Sequence, residues 1–346
     1  MSCVSLHTQP AVLLNAHARG VGPSTQKLIG QALPEAQVFL SQNLSEAQEL
    51  AKKVLIVSYN PVLLGGGDGT LIGFLEALLK ASRQLKQPLP ELGLLRLGTG
   101  NAIAQWMGQR GGKQALVQAL KHISQETPRT HKSLRLIEFD NRLTPFVGAG
   151  VDAKVLGDYL RFKERASQKP WKRMATGMKG YVASVAFQTI PYYMRHSTQI
   201  HCQVHNAGEV AHRVHPDGSL GPALEKGALL YEGEASMVAA STIPFYGYGM
   251  RIFPFAQRLP RCMHLRIFSL PSIPRLLLNV RSLWKGSWFP QGMQDFVAEE
   301  VQVSCAEPMP CQVGGDAAGE RESMHLKLSE TSVPLIDFGA LLSPSI

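Results

Sequence analysis

The sequence predicts a three-layer α/β domain followed by a β-rich, sandwich-like domain. Three observations carry that prediction. Residues 11 to 97 alternate short apolar runs with stretches of helical spacing. Two of those runs close in glycine-rich turns, GGGDGT (65–70) and LGTGN (97–101). Beyond Thr127 the helical spacing thins, and short alternating segments appear between turns such as HPDGSLG. The chain has 346 residues and 45% apolar content, enough for one large or two ordinary domains with real cores.

Taken in order, AVLL (11–14) is a strand that breaks at Asn15, and a helix follows to about residue 32. AQVFL (36–40) is a second strand, and SEAQELAKKVLIVS (45–58) a helix with Ser45 as N-cap and Glu46 in its first turn. VLLGGGDGT supplies the third strand and its turn. Thr70 to about Lys86 has helical spacing, PLPE interrupts it, and LGLLRL (92–97) is a buried strand. Right-handed crossovers then place GGGDGT and LGTGN at the carboxyl edge of one parallel sheet, where such folds bind ligands. The second domain begins near residue 133 and includes LRLIEF, IHCQVH, LLYEGEASMVAA and VQVSC.

Lys plus Arg exceeds Asp plus Glu by 35 to 26, so the net charge of +9 favours an anionic partner. Cys3, Cys202, Cys262, Cys305 and Cys311 are scattered and form no CxxC pair, which argues against a disulfide framework or a zinc ribbon. No apolar run approaches the ~18 residues of a spanning helix. The expectation is a cytoplasmic protein that at most rests on a membrane.

GGGDGT lacks the GK[ST] of a Walker A loop and does not fit GxGxxG. Its glycines bare backbone N–H groups at a helix N-terminus, a setting for phosphate. The lone Asp68 would repel phosphate unless a cation stood between them, which points to a Mg²⁺-nucleotide.

GGGDGT matches the GGDGT signature of the diacylglycerol kinase catalytic domain family, whose members include sphingosine kinases and bacterial lipid kinases, with a fold like that of NAD kinases. LLNAHARG (13–20) is similar to the family's NPxxG segment, with Ala16 in place of proline, and LGLLRLGTGNAIAQWMG (92–108) to its PLGTxN block, with Arg96 in place of proline. FVGAGVDAKV (146–155), PFYGYGMRIFPFA (244–256) and EPMPCQVGGDAAGER (307–321) resemble, in order, the opening of its second domain, its GxGMxxxP segment and its terminal VQIDGE turn.

The resemblance implies a lipid kinase that uses ATP and Mg²⁺. Residues 1–132 would hold the nucleotide, residues 133–310 the diacylglycerol- or sphingoid-like acceptor, and residues 311–346 would return to the first domain. Gly66, Gly67, Asp68, Gly69 and Thr70 would form the nucleotide loop, with Asp68 both metal ligand and catalytic group. Asn15, Thr99 and Asn101 would surround the nucleotide. Asp316 would stand at the position of the family's terminal Glu as a second catalytic residue, a displaced base or an acid that binds metal, while Gly314 replaces the acidic residue of that turn. That replacement keeps one alternative open, a weak or inactive relative that senses nucleotide or lipid; a kinase of a soluble acceptor such as NAD is a second alternative. A further acidic segment that binds a structural Mg²⁺ in many bacterial members has no acid here, in QRLPRC (257–262), so no second metal site is expected.

Residues 161–180 hold seven basic residues against one acid, an ordinary solvated loop or a seat on an anionic membrane face. No nucleic-acid module accompanies the charge, and a nucleic-acid partner is not expected. SIPRLLLNVRSLWKGSWF (272–289) reads as a packed helix before a lipid-facing one. His201, His205, His212 and His215 read as incidental residues of a polar hairpin. The number of subunits is not legible.

Overall fold

The computed structural model describes residues 9–98, 101–125, 128–166, 177–195, 199–246, 249–269 and 272–341. The chain divides into two compact units, residues 1–134 with 331–346, and residues 135–330.

In the first unit β1 (Ala11–Asn15), β2 (Gln37–Ser41), β3 (Val62–Gly66) and β4 (Leu92–Arg96) run parallel in the order β2-β1-β3-β4. They alternate with α1 (Pro23–Ala32), α2 (Leu44–Val57), α3 (Asp68–Leu85), α4 (Ala102–Trp106) and α5 (Lys113–Ser124). One face of the sheet, with Val12, Leu14, Leu63 and Leu95, packs against Ile29 of α1 and Leu120 of α5. Leu71, Leu75 and Leu78 of α3 are also fully buried, and α3 packs on α2. Helices cover both faces, which is why these strands read as unbroken apolar runs rather than alternations.

The chain's last strand, β16 (Asp316–Ile336), returns to this unit, where Leu335 pairs with Leu92 of β4. Residues 311–330, read from the sequence with the returning segment, fall in the second unit. The start of α2 differs from the expected Ser45 cap. Asn43 is the cap: its side chain accepts from Glu46 N at 2.9 Å, and the Glu46 carboxylate accepts from Gln42 N at 2.7 Å. The reciprocal pairing needs a polar residue three positions before Glu46, and Ser45 is too close.

β5 (His131–Phe139) leads into the second unit, followed by β6 (Arg142–Thr144) and β7 (Phe146–Gly150). Next come α6 (Val151–Ala166), α7 (Gly177–Ser184), a π-helical turn (Val185–Thr189) and α8 (Ile190–Arg195). Asp158, buried under these helices, is held by Lys154 at 2.7 Å, Arg161 at 2.5 Å and Thr189 at 2.9 Å.

The strands β8 (Ile200–Asn206), β9 (Ala211–Val214), β10 (Leu220–Ala223), β11 (Leu229–Ala235), β12 (Met237–Ser241), β13 (Met263–Phe268), β14 (Met293–Ala298) and β15 (Glu300–Val313) complete it, with α9 (Ile273–Lys285) between β13 and β14. The path β10-β9-β14-β13-β12-β7-β15 is antiparallel along its length. β15 pairs with β16 and also serves two further partners in turn: Val301 to Cys305 pair with β8, and Cys311 to Val313 with β7. The change of partner folds the strands over a shared core that includes Val147, Val204, Leu265, Phe296 and Met324.

Candidate active site

The first unit's crevice lies where β1 has β2 on one side and β3 on the other, the place at which the order of strands reverses direction. β3 ends at Gly66, Gly67 caps α3, and Asp68 opens that helix. The Asp68 carboxylate accepts from Ala102 N at 2.9 Å and from Ile103 N at 3.3 Å, so the two glycine turns are joined through one side chain. Burial pushes the Asp68 carboxyl above its ordinary value, against the pull of those two N–H groups and of Arg96.

The glycines answer to space. A Cβ on Gly98 would lie 2.2 Å from Gly67 Cα, and one on Gly66 would lie 2.6 Å from Thr70 Cβ, whereas Gly69 faces nothing within 4 Å. Gly98 permits the two turns to touch, Gly66 leaves room for the Thr70 side chain, and Gly69 leaves the mouth of α3 open, where the first turn's N–H groups lack helical partners.

Asn15 donates to Thr70 Oγ1 at 2.8 Å and accepts from His17 N at 2.8 Å. Asn101, with φ of 50°, is buried and exchanges hydrogen bonds with Gly98 N and O, so its side chain fastens the second turn from within. Thr99 lies outside the described residues. A cavity of about 260 Å³ opens beside these groups, lined by Asn15, His17, Ser41, Asn43, Gly69 and Thr70 among others. Sequence reasoning missed Ser41 to Asn43. The signal was the polar SQN that ends the second apolar strand at the same carboxyl edge.

A second cavity, about 160 Å³ and almost wholly apolar, lies inside the second unit between Val155, Met237, Phe268, Leu276 and Leu283. Its wall carries Asp152, in the first turn of α6. Tyr246 donates to Asp152 Oδ2 at 2.6 Å, and Gln312 donates to the same oxygen at 3.3 Å and to the Tyr246 hydroxyl. Asp152 Oδ1 is buried with no hydrogen-bond partner. Burial raises this carboxyl, opposed by the Tyr246, Ala153 and Gln312 bonds. A Cβ on Gly148 would fall 1.8 Å from Asp152 Oδ2, so the first glycine of GAG clears room for the carboxylate.

Asp316 belongs to the second unit and Asp68 to the first. Gly314 and Gly315, with φ of 61° and 93°, form the two-residue turn between β15 and β16, with Val313 opposite Asp316. The Asp316 side chain is 67% exposed and stands 3.3 Å from Arg142. Gly315 N donates to Gln312 Oε1 at 2.9 Å, which ties the turn to the Asp152 network. Of residues 161–180, numbers 167–176 lie outside the described residues.

Parallel strands, a glycine turn opening a helix and a carboxylate at its mouth define the first unit as an α/β fold with a crevice at the carboxyl edge of its sheet. Residues 12–136 match the family model of the diacylglycerol kinase catalytic domain. Diacylglycerol kinase 2 of Arabidopsis thaliana is 28% identical over 181 residues, which cover 46% of this chain and 24% of the plant protein, about a quarter of its length. Two crystal structures from Bacillus anthracis str. Sterne share the fold. One, of a diacylglycerol kinase, has a TM-score of 0.60 at 13% identity, and the other 0.63 at 14%; each match covers 96% of this chain and 98% of that one.

Proposed function

We propose that this chain transfers the γ-phosphate of ATP, carried with Mg²⁺, to the hydroxyl of a lipid. The observation that carries the proposal is the Asp68 carboxylate, pinned by Ala102 and Ile103 at the mouth of the glycine turn.

The residues present fit such a group. Asp68 offers hard oxygens, each with lone-pair capacity beyond its one N–H bond. Among the described residues no three His, Cys, Asp or Glu side chains could hold a metal by themselves. Mg²⁺ ordinarily needs no more than one or two carboxylates when phosphate oxygens and water complete its shell. Asp68 would hold the metal, with Gly66 to Thr70 and Asn15 along the phosphates. The bound nucleotide supplies a transferable phosphoryl group with its charge partly neutralised. The chain's own contribution is positional: the open turn at Gly69 admits the anion, and the Ala102 and Ile103 N–H groups hold the Asp68 carboxylate in place.

The acceptor's apolar chain suits the second unit's cavity, where Asp152 Oδ1 offers an unused acceptor to a hydroxyl or amine. Delivery from an anionic bilayer belongs to the same proposal. α9 turns Leu276 and Leu283 to the cavity, exposes Leu277 and Leu278, and carries Arg275, Arg281 and Lys285.

The test is ATP turnover with diacylglycerol, sphingoid, isoprenoid and soluble acceptors. Transfer to a lipid, reduced at least ~100-fold in Asp68→Asn with the fold intact by circular dichroism, is expected. Binding without transfer, transfer to NAD alone, or full activity of Asp68→Asn would each overturn the proposal.

A further inference from the structure

Three sulfur atoms that take no part in the proposed function meet in the second unit. Cys202 on β8 and Cys305 on β15 are directly opposite each other in an antiparallel pair, so both side chains project from the same face. Their Sγ atoms are 3.3 Å apart, and Met309 Sδ lies 3.8 Å from Cys202 and 3.5 Å from Cys305. The Cys202 thiol is also 3.3 Å from Ile200 O.

Local chain geometry alone does not bring these atoms together. Residues i and i+4 on a regular strand are ~13 Å apart. The contact of Cys305 with Met309 therefore requires the register shift of β15 between Ser304 and Met309, which curls the strand and returns Met309 to the cysteines. Cys202 and Met309 are buried, while Cys305 is partly exposed and gives access.

We infer that Cys202, Cys305 and Met309 form a trigonal site for a soft monovalent metal, Cu(I) by preference. Two thiolates and a thioether are the donors that favour Cu(I), whereas Mg²⁺ takes oxygen and zinc ordinarily takes four ligands without thioether. Sulfurs at these separations put an in-plane centre about 2 Å from each. A small rise out of that plane reaches the ~2.3 Å of a metal–thiolate bond. Binding forms three metal–sulfur bonds, and both thiols release their protons to solvent.

The test titrates Cu(I), under reductant and without oxygen, into the full chain in competition with the colorimetric chelator bicinchoninate. Expected are capture of one copper per chain, release of two protons, and a sulfur-to-copper charge-transfer band. Cys305→Ser should abolish capture and Met309→Leu should weaken it at least tenfold, with circular dichroism unchanged. Cys3→Ser and Cys262→Ser should retain it. Failure of the wild type to compete with the chelator, capture that survives Cys305→Ser, or indifference to Met309→Leu overturns the site. Equal affinity for Zn²⁺ would overturn the trigonal sulfur assignment.

Discussion

Asp152 shows what a single residue number conceals. FVGAGVDA is legible as the start of a domain, yet the environment of its aspartate is set by Tyr246 and Gln312, which are 94 and 160 residues away in sequence. No local pattern encodes that meeting. If Oδ1 receives the acceptor's donor, Asp152→Asn should raise the acceptor KM about tenfold while leaving the KM for ATP unchanged, a split that steady-state kinetics reads directly. An equal effect on both constants would argue against it. His264 was equally hidden. It is fully buried, its Nε2 donates to Asp295 at 2.9 Å, and Arg266 completes the cluster with two bonds to the same carboxylate. Burial holds His264 below its ordinary 6.5, with Asp295 opposing. Burial pushes Asp295 up, but His264 and Arg266 outweigh it and hold that carboxyl well below the usual range. Both folded values are depressed. His264 thus contributes stability that is full above about pH 6.5 and falls as the unfolded chain takes up a proton below it, and Asp295 adds a second loss below about pH 4. Urea denaturation of the wild type should lose stability between pH 7 and 5, and His264→Gln should flatten that slope.

At the scale of elements, the parallel strands of the first unit were legible because burial on both faces leaves continuous apolar runs with turn residues at their ends. The N-cap of α2 was misplaced because two polar residues competed and only the reciprocal bond with Glu46 decides between them. α9 was legible as a helix but not in its surroundings: periodicity gives a face, and a partner for that face is a tertiary fact. Leu278 is 86% exposed on it, so its replacement should not disturb packing. Leu278→Glu is expected to lower sedimentation with anionic vesicles severalfold at unchanged melting temperature. Retention of full vesicle binding would argue against α9 as the lipid-facing element of the proposal.

Across the whole molecule, the first unit is built from two stretches of chain separated in sequence by the entire second unit, and no helix among the described residues is long and apolar enough to cross a membrane. The sequence raised the loss of an acid at 314 as a chemical doubt, and the structure gives that position a backbone identity. Gly314 sits at φ of 61° in the tight turn, a conformation that Asp and Asn adopt more readily than other side-chain residues. Gly314→Asp should therefore fold as well as the wild type. If proton removal limits turnover, it should raise kcat by ~10- to 100-fold with the KM for ATP unchanged. An unaltered kcat would mean that the position has no part in the rate. A glycine codon and an acidic codon differ at a single base. On the proposed reading, the faster and slower forms of this kinase are one mutation apart, with no rebuilding of the chain between them.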